Sequence, residues 1–146
     1  VSRAERLIVV ATCLVLVAAG VVLATIEAFL VPVRLFGGTE GLAVLLAVLG
    51  NLAIGLLAAA GLDSSAGAAA PALGWFAAAS IATFSSPHGS VVVPGTLGND
   101  PGVPVVGVVW YFGGVLSSGI AVFVSSVRAR SRLQALHQTG EHAEAC

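Results

Sequence analysis

Leu7–Ile26, LIVVATCLVLVAAGVVLATI, runs for twenty residues without a charged side chain. At about 1.5 Å of rise per residue a helix of that length covers about 30 Å, the thickness of a lipid hydrocarbon core. Backbone amides in lipid have no water to bond to, so a single continuous segment satisfies them only as a helix. The run therefore predicts a transmembrane helix, extended to a first span over residues 7–31. Three further apolar stretches follow, over residues 41–62, 66–85 and 103–127. Pro71 lies near the start of the third, where it either occupies the first turn or kinks a longer helix. The connection Asp63–Ser65 is short and offers Asp and Ser as N-caps, which predicts a tight hairpin. Residues 86–102 form an outer loop and residues 128–146 a basic tail. The expected fold is an all-α membrane protein with four transmembrane helices in an up-down bundle and both termini cytoplasmic.

Composition leads to the same class. Of the 146 residues 58% are hydrophobic and 9% charged, and the mean hydropathy is +1.03, far from soluble-domain averages. All six basic residues are arginine, and Ala, Val, Gly and Leu dominate, a usage that fits a GC-rich genome such as an actinobacterial one. The arginines are unevenly placed. Arg3 and Arg6 precede the first span and Arg128, Arg130 and Arg132 follow the fourth, whereas the outer connections hold only Arg34. Under the positive-inside rule this distribution sets topology, with the termini in the cytoplasm of a plasma-membrane protein. A cleavable signal peptide is the competing account of the first span, since Val22-Leu23-Ala24 resembles a cleavage site; the apolar run exceeds the usual signal core, and an uncleaved anchor is expected.

Helices in lipid associate through small residues and polar contacts. Small side chains recur every four residues: Gly20, Ala24 and Ala28 in the first span; Ala43, Ala47, Asn51, Gly55 and Ala59 in the second; Ala66, Ala70, Gly74, Ala78, Ala82 and Ser86 in the third; Gly113, Ser117, Ala121 and Ser125 in the fourth. An alanine-rich chain produces such stripes by chance too, but as packing seams they turn Phe76 and Phe123 outward. Asn51, close to the middle of its span, needs partners, and Ser80, Ser117 or Ser118 lie at similar depth. It serves either an interhelical hydrogen bond or the lining of a transport path. Glu27 is the only acidic residue within an apolar stretch. Counting from Leu7 puts it near the outer boundary, where it can reach water; a proton- or cation-coupled role is the alternative. Pairing with Arg34 would need a bend at Pro32.

A glutamate in the first of four short spans resembles the small multidrug-resistance transporters. The resemblance covers architecture, and it implies a transport role for Glu27 or Asn51. In that family the glutamate lies deeper than counting places Glu27, and the extra loop and tail here are atypical of it. A second set of cues, Val91-Val-Val-Pro94-Gly95 and the approach Gly107-Val-Val-Trp110-Tyr111-Phe112-Gly113-Gly114, resembles uncharacterised small four-span membrane proteins of actinobacteria. That likeness covers about a quarter of the chain; it implies plasma-membrane residence and four spans, and carries no activity.

The outer loop is rich in turn formers, with Pro87, Pro94, Pro101 and Pro104 excluding a regular helix. His88 and Asp100 within it specify neither acid-base nor metal chemistry. Trp110 and Tyr111 are expected as interface anchors near the outer end of the fourth span, and Trp75 as an anchor or packing residue. After Val127 the tail is expected to continue as helix for two or three turns, with Gly140 weakening it beyond. His137, His142 and Cys146 lack an established zinc spacing, and Cys13 with Cys146 gives no disulfide argument. No metal or cofactor is expected. A phosphate-binding glycine loop, a nucleophile elbow and HExxH are all absent from the sequence, and the few arginines are explained by topology rather than nucleic acid. The expectation is a non-enzymatic accessory or scaffolding subunit whose partners are the lipid bilayer and a membrane protein or further copies of itself. The alternative is a small oligomeric transporter of the multidrug-resistance type.

Overall fold

The computed structural model describes residues 2–31, 33–35, 38–39, 41–84 and 102–144. Four helices account for nearly all of them: α1 (Arg3–Leu30), α2 (Leu42–Leu62), α3 (Ser65–Phe84) and α4 (Gly102–Glu144), with a ladder of two-residue strands, β1 (Arg34–Leu35) and β2 (Gly38–Thr39), between α1 and α2. The ladder is antiparallel and pairs Arg34 with Thr39. All four helices are long and apolar enough to cross a membrane.

Local chemistry explains the boundaries. α1 begins before the apolar run because Ser2 and Glu5 form a capping box: Ser2 Oγ accepts from the Glu5 amide at 3.2 Å, and the Ser2 amide donates to Glu5 Oε2 at 2.6 Å. The α2–α3 hairpin divides its capping between two residues. Asp63 ends α2 in the left-handed region, at φ 46°, a place glycine usually takes. Ser64 then starts α3 by accepting from the Ala66 amide at 3.2 Å. Pro71 lies inside α3 rather than in its first turn. α4 continues as helix through Gly140 to Glu144, so glycine does not interrupt it there. At 43 residues it is about 65 Å long, and its apolar part is Val105–Arg132.

The bundle is up-down, yet helices adjacent in sequence are not the ones packed most closely. The most extensive contacts are α1 with α3 and α2 with α4, two parallel pairs. α1 and α4 stand at opposite corners with no backbone contact among the described residues. Ile8 and Leu62 line one groove and Arg132 ion-pairs with Asp63. The start of α1, the α2–α3 turn and the arginines of α4 therefore share one end of the bundle.

The interior is small and the exterior bulky. Gly20, Ala24 and Ala28 of α1 and Ala43, Ala47, Asn51, Gly55 and Ala59 of α2 are buried, as the four-residue spacing predicts. In α3 the buried residues are Gly67, Ala68, Ala70, Pro71, Gly74, Trp75 and Ala79, while Ala66 is exposed. In α4 Ser117, Ala121 and Ser125 are buried. Leu7, Leu57, Leu73, Phe84 and Phe123 all stand more than 60% exposed. A monomeric soluble protein rarely shows a continuous apolar coat of this kind; it is compatible with a multi-pass membrane protein.

Candidate functional site

The polar centre of the bundle is Glu27, which is fully buried. Its Oε2 accepts from the Trp75 indole N–H at 2.7 Å and from the Trp110 indole N–H at 3.0 Å. Its Oε1 has no hydrogen-bond partner among the described residues. Three helices thus meet at one carboxyl oxygen, and Trp110 carries α4 across to α1 although their backbones do not touch. A buried hydrogen bond to a charged acceptor contributes about 1.5–3 kcal/mol.

Glycines make the room. Gly50 lies beside Oε1: a Cβ there would stand 3.7 Å from that oxygen and 3.4 Å from Leu23. A Cβ at Gly114 would overlap the six-membered ring of Trp75, so a large indole crosses the bundle only because α4 has no side chain at that point. The two indoles lie with centroids 5.6 Å apart, tilted by 56°. Tyr111 packs beside them, 6.2 Å from Trp75 between centroids, and its hydroxyl meets Ser80 Oγ at 3.1 Å.

Glu27, expected near the end of its span where it could reach water, is instead fully buried. Its carboxyl group is level with Gly50, eight steps and about 12 Å of helix rise from the first residue of α2. A helical side chain points back toward its own N-terminus, so the carboxyl group sits about a turn below its Cα, inside the bundle rather than at the end of α1. Trp110 is likewise a fully buried partner of Glu27 and not an interface anchor. Trp75 is buried as well. The signal that links them was in the sequence: a buried indole N–H needs an acceptor, and Glu27 is the only carboxyl group in the apolar stretches.

Asn51 is buried but separate from this cluster. Its Nδ2 donates to the Ala47 carbonyl of its own helix at 2.9 Å, and Ser117 Oγ donates to the same carbonyl from α4 at 3.1 Å. Asn51 Oδ1 and Ser118 Oγ have no partner among the described residues. The expected bonds from Asn51 to Ser80, Ser117 or Ser118 are thus not made; a shared backbone carbonyl links Asn51 to Ser117, and Ser80 is taken by Tyr111.

Arg3, Arg6, Arg128, Arg130 and Arg132 are exposed, and Arg132 pairs with Asp63. Among the described residues no three His, Cys, Asp or Glu side chains come together as metal ligands. His88, Asp100 and Val91–Val93 lie outside the described residues, as do the side chains of Arg34, His137, His142 and Cys146. No protein-family model matches the chain, and no curated protein or solved structure matches it.

Proposed function

We propose that this chain is a small multi-pass protein of the plasma membrane, with N and C termini in the cytoplasm, and that it works as an oligomeric transporter in which Glu27 exchanges a proton or a cation. The observation that supports this is the lopsided coordination of Glu27: two neutral N–H donors on one oxygen and none among the described residues on the other. Indoles orient a carboxyl group without neutralising it. A carboxylate in an apolar interior costs several kcal/mol unless a counter-charge meets it, and the described residues place no arginine within ion-pair distance. A proton or cation on the Oε1 side supplies the missing partner, and intramembrane acids mark such routes by default. The burial of Glu27 inside the bundle fits the small multidrug-resistance pattern better than an interfacial carboxylate would. The core is packed around the site, so a path for substrate needs a second copy or a movement of helices. Orientation is supported by the five arginines gathered at one end of the bundle.

A second reading, a non-enzymatic accessory or scaffolding subunit, is favoured by the closure of the site: Glu27 is fully buried and ties α1, α3 and α4 together, as a structural staple would. One measurement separates the two. The chain has two tryptophans, both bonded to Glu27, so intrinsic fluorescence reports directly on this carboxyl group. Protein in lipid nanodiscs, titrated from acid to alkaline pH, is expected to show one transition in tryptophan emission that Glu27→Gln abolishes. Adding the lipophilic cation tetraphenylphosphonium is expected to release protons from the wild type only. A folded protein with a flat pH response and no proton release defeats the transport reading, and a stoichiometric partner retained in mild detergent then supports the accessory one.

A further inference from the structure

Outside the Glu27 site, a groove of about 610 Å³ runs along the outer surface between α3 and α4. Leu73, Phe76 and Phe123 flank it and are well exposed. Gly119 helps to open it, since a Cβ there would meet no atom within 4 Å. Trp75 forms part of its inner wall, so one indole separates the groove from Glu27. Arg130 stands at the groove's end near the α2–α3 turn. It is exposed and has no carboxylate partner among the described residues, in contrast to Arg132, which pairs with Asp63.

We propose that this groove binds an anionic phospholipid, with the phosphate on Arg130 and one acyl chain lying along the groove against Trp75. Charge and length both select this occupant. The groove is apolar along its length and cationic at one end only, matching an amphiphile with one anionic head. Gly119 and Arg130 are eleven residues apart, about 16 Å of rise, and one leaflet of the hydrocarbon core is about 15 Å deep. Arginine binds phosphate oxygens with paired N–H donors, and a basic residue at a membrane surface favours anionic lipid. The site needs only that the protein resides in a bilayer and is independent of any transport role.

Brominated acyl chains quench tryptophan at close range, which gives the test. In Trp110→Phe protein Trp75 is the only tryptophan. Vesicles of phosphatidylcholine carrying a minor fraction of dibrominated phosphatidylglycerol are expected to quench it more than the same fraction of dibrominated phosphatidylcholine. Arg130→Gln should reduce that preference about fivefold, whereas Arg128→Gln, outside the groove, leaves it unchanged. Native mass spectrometry of the unaltered protein and of Arg130→Gln, counting retained phosphatidylglycerol, gives the same comparison without altering a tryptophan. Equal quenching by the two lipids, or a preference indifferent to Arg130→Gln, overturns the proposal. Absence of quenching by either lipid, with a crosslinked dimer through α3 and α4, overturns it in favour of a second copy as occupant.

Discussion

The seam between α1 and α3 and the seam between α2 and α4 join parallel helices by different physics. In the first, backbone lies on backbone. A Cβ at Gly20 would overlap the Pro71 carbonyl, and one at Gly74 would overlap the carbonyl of Val17. In the second, small side chains keep the helices slightly apart and hydroxyls bridge them. A Cβ at Gly55 would lie 2.7 Å from Ala121 Cβ, and Ser117 reaches the Ala47 carbonyl at 3.1 Å. Glycine thus serves as geometry in one seam, while the other spreads its hold over several modest contacts. A backbone seam cannot yield to an added atom, and a side-chain seam can shift by tenths of an ångström.

Mutation should expose the difference in rank order. Gly74→Ala has the largest expected effect: the methyl meets a carbonyl that cannot rotate away, α1 is forced off α3, and the cost is about 3 kcal/mol or more. Unfolding with increasing sodium dodecyl sulfate in mixed micelles measures it, and a loss below that of Gly55→Ala would break the contrast. Gly55→Ala comes next, at about 1–2 kcal/mol, because two methyl groups can separate slightly along the α2–α4 seam. Asn51→Leu is the smallest, about 1 kcal/mol or less. It removes one bond to a carbonyl that Ser117 still occupies, and it replaces an amide oxygen with no partner among the described residues. Tryptophan emission at constant pH should remain that of the wild type in Asn51→Leu, since the amide does not contact the Glu27 cluster, and should change in Gly74→Ala, whose neighbour Trp75 is carried on the displaced helix.

Much of this architecture was legible from spacing alone. Residues Ala43, Ala47, Asn51, Gly55 and Ala59 recur every four positions and all are buried, because packing in lipid selects size at helical period and composition records it. The stripe read for α3 holds at Ala70 and Gly74, which are buried, and at Ala78 and Ala82, which pack on the core; it departs only in the first turn, where Ala66 is exposed and Gly67 lies against the backbone of Ala58 in the tight hairpin. Depth was the harder quantity. Counting residues from Leu7 places the Cα of Glu27, whereas its carboxyl group is directed back along α1 into the bundle, where the indoles of Trp75 and Trp110 reach it. The signal that would have corrected the count, one buried acid and two indole donors, concerns pairing between distant positions, and hydropathy along the chain does not carry it. The α3–α4 connection, with His88 and Asp100, lies outside the described residues.

The two tight pairs have a mechanical corollary. They are joined most intimately beside the α2–α3 turn, where Gly67 lies on the backbone of Ala58, while the contacts of α1 with α2 and of α3 with α4 are less extensive. Parting of the two pairs would pivot at that turn, as in a pair of tongs. On this view the bond from Trp75 to Glu27 travels inside one arm and persists, and the bond from Trp110 spans the jaws and breaks when they part. The carboxyl group would then keep one indole at all times and exchange the other for whatever enters.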